Sequence, residues 1–264
     1  MLDHLEKILM TNDIEAIWTQ HCRMMAQYGF DRLIYAFLPF RDAPGRDDVA
    51  DALFLSNHDP DYLRCYLQNN SYLESPMVKW MMHNTGVRSW GDILRQMEQR
   101  TLTPEERARL EMNRAFGVTA GYSITFEDSS SRSTGGIGLC AERGLTQAEV
   151  DDIWSRHGRE LMVLNSVLHL KISTMPLVTA RRALTARQRE VLEWVADGKT
   201  TADIALIMGL TVATVEKHLR RAREVLDVET TAQAVLKASM QKQLFQRNNH
   251  SGAIAPARQT GAAK

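Results

Sequence analysis

The stretch TADIALIMGLTVATVEKHL, Thr201 to Leu219, restricts the folds open to this chain more than any other segment. Ala205 is small where a second helix would cross closely. Gly209 follows four residues later, where a left-handed turn is easiest for glycine. Val215 comes six residues further on and packs back, with Ile204, Met208 and Leu210 as apolar fill. Thr211 stands where a second helix needs a cap. This spacing predicts a helix-turn-helix, whose second helix enters the DNA major groove. Val215 and Leu219, joined by Ala222 and Leu226, would hold that helix to its scaffold. Thr214, Lys217, Arg220 and Arg221 point elsewhere, and the three basic side chains can reach guanine edges or phosphates. Lys199, Thr200 and Thr201, at the start of the preceding helix, suit contacts to the phosphate backbone. A solvated basic face on a helical bundle would carry the same charges. The apolar spacing, not the charge, favours DNA.

Charge supports a division of labour. The chain has no net charge, yet residues 1–180 hold 18 Lys+Arg against 24 Asp+Glu, and residues 181–247 hold 12 against 8. An acidic first part and a basic second part predict two domains, the second facing a polyanion. Apolar content of 44% and charged content of 24% fit an ordinary globular protein. The apolar runs fall short of the roughly 20 residues a membrane helix needs, so no membrane partner is expected. The N-terminus, MLDHLEKILMTND, does not read as a signal peptide. Cys22, Cys65 and Cys140 are odd in number and far apart, which predicts reduced thiols in a cytoplasm.

Along the first part, periodicity predicts a helix over 2–28, strands over 32–40 and 52–57, and a helix over 59–70 begun by Asp59 and Pro60. A short helix follows over 76–84, then a turn at Ser89, Trp90 and Gly91. Thr103, Pro104 and Glu106 predict a capping box opening a helix over 103–118. Segments 120–128 and 133–142 alternate and should form a hairpin. A long helix capped by Thr146 runs over 146–173, with Val150, Ile153, Trp154, Leu161, Leu164 and Leu168 facing the sheet and apolar surface left for a dimer. The expected fold class is α+β: an antiparallel sheet sandwiched by helices over 1–173, then an all-α four-helix helix-turn-helix domain over 184–247. Residues 174–183 read as a linker and 248–264 as a disordered tail.

The segment from Leu184 to about Ala238 resembles the C-terminal domain of LuxR-type transcription factors. The resemblance rests on Leu184-Thr185, Glu190-Val191-Leu192, Gly198, Ile204-Ala205, Thr214-Val215, His218 and Ala234. The chain departs from the family at Gln188, usually Glu, at Asp227, usually Gly, at Thr230-Thr231, usually Asn-Arg, and at Glu216, usually basic. The first part resembles the autoinducer-binding domain of quorum-sensing LuxR proteins, through Tyr62, Tyr66, Ser75-Pro76, Trp90 and Gly121. The resemblance implies a pocket for an acyl-homoserine lactone, with Tyr62, Tyr66, Glu74, Ser75, Trp90 and Cys140 as candidate lining residues. Tyr62 stands where the family has a Trp that donates to the lactone carbonyl. Ser75 stands where the family has an Asp that accepts from the amide N–H. A neutral hydroxyl replaces a charged acceptor, and charge-assisted hydrogen bonds are about twice as strong as neutral ones. The usual lactone should therefore bind more weakly unless Glu74 turns inward; a different apolar signal, or none, is the alternative. The three aromatic residues also fit an ordinary core, Cys140 an inert buried thiol, and Met24, Met25, Met77, Met81 and Met82 either a deformable cavity or core.

The function implied is a cytoplasmic, homodimeric transcriptional regulator with a small-molecule sensor and no cofactor, reading a pseudo-palindromic site in double-stranded DNA, with RNA polymerase as a further partner. A ligand-independent regulator whose first domain is a scaffold is the second reading. An enzyme would need a nucleophile with its base, or a metal cluster. No GxSxG occurs and the histidines stand in no ligand pattern.

Overall fold

The computed structural model describes residues 1–40, 52–99, 102–128, 130, 132–176 and 183–246. They divide into two compact units, 1–40 with 52–172, and 173–176 with 183–246. The tail expected over 248–264 and most of the linker expected over 174–183 lie outside the described residues.

The first unit is built on a five-stranded antiparallel sheet. Its strands are β1 (Arg32–Leu38), β2 (Leu53–Ser56), β3 (Gly86–Ser89), β4 (Gly121–Phe126) and β5 (Thr134–Cys140), ordered β2-β1-β5-β4-β3. Helices α1 (Leu2–Met10), α2 (Ile14–Ala26) and α7 (Gln147–Thr174) belong to one side. Helices α3 (Pro60–Leu67), α4 (Pro76–His83), α5 (Trp90–Glu98) and α6 (Pro104–Ala115) belong to the other, with a 3-10 segment over Gln68–Glu74 between α3 and α4. The expected α+β sandwich is the observed fold.

Register decides which side each strand residue faces, because paired residues in an antiparallel sheet share a face. Tyr35, Ile137 and Ile124 pair in one row and point toward α2 and α7, where Val150, Leu161, Leu164 and Leu168 are fully buried. Trp154 stacks on Tyr122 with ring centroids 4.1 Å apart. His169 of α7 stacks on Phe126 and bonds the Tyr35 hydroxyl (2.9 Å) and Asp128 (2.9 Å). Ile34, Gly138 and Ser123 pair in a neighbouring row and point the other way.

Four local expectations change. The helix expected over 2–28 is two helices, because the Asp13 carboxylate accepts from the N–H groups of Glu15 and Ala16 and starts a new one. The helix expected over 59–70 stops at Leu67 and tightens into the 3-10 segment. No helix or strand was expected between 84 and 103, but β3 and α5 occupy it. The turn expected at Ser89, Trp90 and Gly91 is the start of α5, capped by the Ser89 hydroxyl. The Thr103 capping box and the Asp59–Pro60 start form as expected.

The second unit holds α8 (Ala186–Ala196), α9 (Thr201–Met208), α10 (Val212–Leu226) and α11 (Thr231–Met240). Thr185, Thr200 and Thr230 each open a helix with a complete capping box. Gly209 ends α9 with φ 64°, and Thr211 caps α10 through the Thr214 N–H. Ile204, Ala205, Val215, Leu219, Ala222 and Leu226 form the core with Val191 and Leu192 of α8. Burying each larger aliphatic side chain contributes about 1.5–3 kcal/mol.

Candidate functional site

Two places gather the functional candidates, one in each unit. In the first unit, the sheet face turned toward α3–α6 is floored by small residues: Ala36, Gly121, Ser123, Thr125, Gly136 and Gly138. Side chains of the opposite helices come down onto it. The Trp90 indole lies over Gly121 and Gly138, and its N–H donates to the Ser123 hydroxyl at 3.0 Å. The Met81 methyl sits where a side chain on Gly136 would go. Tyr62 and Tyr66 stack with centroids 5.5 Å apart, and Tyr72 continues the row 5.8 Å from Tyr66. Tyr72 in turn meets Phe54 of β2 edge-on.

Tyr62, Tyr66, Ser75, Trp90 and Cys140 are all buried. The Tyr62 hydroxyl donates to Asn113 Oδ1 at 3.2 Å. Burial pushes the Tyr62 and Tyr66 phenols up, while the Arg109 guanidinium pulls both back. Both therefore stay neutral donors at neutral pH. Burial also pushes the Cys140 thiol up to about 12, so it is protonated and a poor nucleophile. The Ser75 hydroxyl is directed at the Met77 sulfur, 3.8 Å away. Glu74 does not turn in beside it. Its carboxylate accepts from Lys79 Nζ at 2.8 Å, and the same ammonium reaches the buried Glu106 at 3.3 Å. These hydrogen bonds, Glu74 first, hold the Lys79 pKa above its ordinary value.

The methionines separate. Met25 and Met77 are buried, Met81 covers the glycine floor, and Met82 is exposed. Residues that the sequence did not single out also lie here: Tyr72, Asn113, Ser123, Arg109 and the glycine floor. The floor had one visible signal, Gly136 and Gly138 alternating in STGGIGLC.

In the second unit, α10 shows its two faces as expected. Val215, Leu219, Ala222 and Leu226 are buried, while Lys217, Arg220 and Arg221 are exposed and Thr214 is half-buried. Arg220 pairs with Glu224 one turn on, at 2.9 Å. The Thr214 hydroxyl is 2.9 Å from that of Thr211. At the start of α9, Lys199 and Thr200 are exposed and Thr201 is half-buried, but the Thr200 hydroxyl already donates to Asp203 at 2.7 Å. That bond, first in order, holds the Asp203 carboxyl below its usual range. The arrangement is a buttressed helix with one basic, solvent-facing side.

Comparison with known proteins decides the family. Residues 13–172 match the autoinducer binding domain, and residues 182–238 match the bacterial regulatory proteins of the luxR family. The chain belongs to the LuxR family. It is a transcriptional regulator with an autoinducer-binding domain and a helix-turn-helix DNA-binding domain. Among LuxR-type relatives, it is 29% identical to the quorum sensing-dependent transcriptional regulator RpaR of Rhodopseudomonas palustris, over 81% of this chain and 83% of that one. It is 23% identical to the transcriptional activator AnoR of Acinetobacter nosocomialis, over 90% and 96%. Its fold is similar to that of Escherichia coli SdiA, with TM-score 0.53, 17% identity, and coverage of 92% and 96%. Among the described residues no helix is long and apolar enough to cross a membrane, and no group of three or more His, Cys, Asp and Glu could hold a metal ion.

Proposed function

We propose that this regulator binds a small molecule with an apolar body between the glycine floor of its sheet and the roof of Tyr62, Tyr66, Trp90 and Ser75, with Cys140 at the floor's end. The observation that carries this reading is the mismatch between the two surfaces. The small residues at the centre of the floor leave space above them, and Trp90 of α5 and Met81 of α4 fill it. Ligand pockets are mostly apolar with a few placed polar groups, and the Tyr62 hydroxyl, the Trp90 N–H and the Ser75 hydroxyl are such groups. Ser75 is neutral and Glu74 is engaged by Lys79, so the charged acceptor of the family's pocket has no substitute here. SdiA, of similar fold, has been seen in complex with octanoyl-rac-glycerol, an acyl chain on an uncharged head. A weaker grip on acyl-homoserine lactones than the family's follows from the same loss. The full-length protein should gain melting temperature on adding an acyl-chain ligand, since a ligand bound only to the folded state stabilises it by mass action. No shift with any acyl ligand would favour the scaffold reading.

In the DNA-binding unit, Lys217, Arg220 and Arg221 contact the major groove and Lys199, Thr200, Thr201 and Thr214 position the backbone in this reading. A second copy pairs with the first and sets a pseudo-palindromic site. Exposed Val163 and Leu170, seven residues apart on α7, and Leu236 on α11 offer apolar surface for that pairing. Arg220→Ala should weaken specific binding by about 1–3 kcal/mol if the guanidinium reads a base. Operator affinity in a salt-controlled gel-shift titration checks it, and an unchanged value removes Arg220 from the reading set.

A further inference from the structure

Arg109 of α6 is a buried cation without a carboxylate. It is 6% exposed, and among the described residues it forms no ion pair. Its guanidinium lies over the Tyr66 ring, 5.6 Å from the centroid. Among the described residues its one hydrogen bond is Nη1 to the Met112 sulfur at 3.0 Å, and a thioether is a weak acceptor. Nε is buried and has no partner. Burying a charge is costly unless it is paired, so native proteins rarely leave one this way. Arg109 also lines an open cleft of about 340 Å³, with Glu74, Glu105, Ala108 and Met112. That volume falls in the range of small-molecule sites.

We propose that Arg109 takes the carboxylate of the signal, so that the ligand is an acyl-chain acid rather than a lactone. This rests on the reading of the first unit as a small-molecule sensor and names the chemistry of the head group; the cleft meets the proposed roof at Tyr66, over which the Arg109 guanidinium lies. A guanidinium offers a planar fork of N–H donors matched to a carboxylate. Nε and Nη2 form no hydrogen bond among the described residues, and they are the two donors of one edge of that fork. Tyr66 supports the fork from its face, and Met112 with Ala108 gives an apolar wall for the start of the chain. The mouth of the cleft selects further. Glu74 shares the Lys79 ammonium with the buried Glu106, so that trio keeps one negative charge, and Glu105 stands exposed beside it. A doubly charged phosphate would meet that repulsion more strongly than a singly charged carboxylate. Free fatty acids and N-acyl-homoserines, the ring-opened form of the lactones, carry the same group on the same kind of chain.

The test is a matched pair. The full-length protein is titrated with N-acyl-homoserine lactones of short, medium and long chain and with the corresponding ring-opened acids, with fatty acids of equal length beside them. Calorimetry and thermal shift read the affinity. The expected result is at least about tenfold tighter binding of the acid than of its lactone. Arg109→Gln should remove the preference, and Arg109→Lys should keep part of it, since the charge stays and the fork is lost. Fatty acids binding as tightly as N-acyl-homoserines of equal length would assign recognition to the carboxylate alone; tighter N-acyl-homoserines would add the amide as a second contact, and both support the role of Arg109. Should Arg109→Gln fail to fold, the exposed Glu105→Gln carries the test: it should tighten the acid by roughly two- to threefold at low salt and leave the lactone unmoved. Tighter lactone binding, or an acid preference that ignores both Arg109 and Glu105, overturns the inference while leaving the sensor reading in place. Absence of any binding across the whole series overturns both.

Discussion

One face of the sheet carries Leu33, Tyr35, Ile124, Phe126, Ile137 and Leu139; the other carries Ala36, Gly121, Ser123, Thr125, Gly136 and Gly138 at its centre, with Ile34, Phe54 and Cys140 around them. The strands are shared, so the backbone is the same for both faces and only the side chains differ. The first face meets α2 and α7 in close packing, where Leu161, Leu164 and Leu168 are fully buried. The second face cannot fill its own space, and Trp90 and Met81 from α5 and α4 do so instead. A face completed by its own large residues has one stable arrangement. A face completed by side chains from short helices is the one on which the proposed guest would have to take the place of Trp90 or Met81. In the proposed reading, the structural half and the sensing half are back to back on one sheet.

The largest effect expected from removing a side chain is on the packed face. Leu164→Ala removes a fully buried side chain between α7 and the sheet and should cost about 2–5 kcal/mol. Urea unfolding measures it. A loss below about 1 kcal/mol would mean that this face repacks freely, and the contrast between the faces would not hold.

Acid should act on both sides alike, and ligand should then separate them. His21 is fully buried between α2 and α7, with Nε2 3.0 Å from Asn165 Oδ1. Burial first of all pulls its pKa down to about 4, against a partial opposing effect from the Asn165 hydrogen bond. His58, stacked on Tyr62 at 4.8 Å, is on the roof side and also falls to about 4, chiefly by burial and then by Arg32. For a base whose folded pKa is depressed, the unfolded chain binds more protons between the two values. Stability is therefore full above the unfolded pKa of about 6.5 and declines as pH falls toward 4. Each histidine should contribute a loss of about 3 kcal/mol over that window. Unfolding curves from pH 7 to pH 4.5 for His21→Gln and His58→Gln should each be flatter than the parent. Adding ligand should alter the His58 share and leave the His21 share alone. Equal ligand sensitivity at both would place the guest somewhere other than the roof.

The sequence showed some of this and hid the rest for physical reasons. The helix-turn-helix unit was legible because its determinants are local: the Ala205–Gly209–Val215 spacing and the caps at Thr185 and Thr211 lie within a few turns of one another. The α+β class was legible from period alone. The break at Asp13 is masked in the sequence because apolar residues keep helical spacing across it, although the capping side chain is present. The start of α5 reads as a turn in the sequence because Gly91 follows Trp90. That glycine serves close packing instead: a side chain there would meet Gln147 Cγ at 2.8 Å. The floor became visible only with strand register, which puts Gly136 and Gly138 on one face with Gly121. Arg109 was hidden in PEERARLEMNRA, where it looks like one more surface charge of a well-capped helix.

The smallest effect on stability should come from the floor, and there the contrast between the faces is tested most directly. A side chain added at Gly138 would lie 3.3 Å from Ile34 Cγ2 and 3.8 Å from Trp90 Cζ2, with no backbone atom closer than 4.0 Å. Ile34 must give by a few tenths of an ångström, while alanine in place of glycine stiffens the strand by roughly 0.5–1 kcal/mol. The two effects oppose, so Gly138→Ala should change stability by less than about 1 kcal/mol. Its effect on sensing should be larger, because the added methyl occupies the space between floor and roof. The thermal shift produced by the acyl ligands should shrink or vanish while the ligand-free melting point stays near that of the parent. Gly121→Ala is the opposite control: its added carbon would collide with the Leu139 carbonyl oxygen, a backbone atom that cannot move aside, and the sheet should fail to form. If Gly138→Ala keeps both its melting point and its ligand response, the space above Gly138 is not where the guest sits, and the floor is packing like the other face.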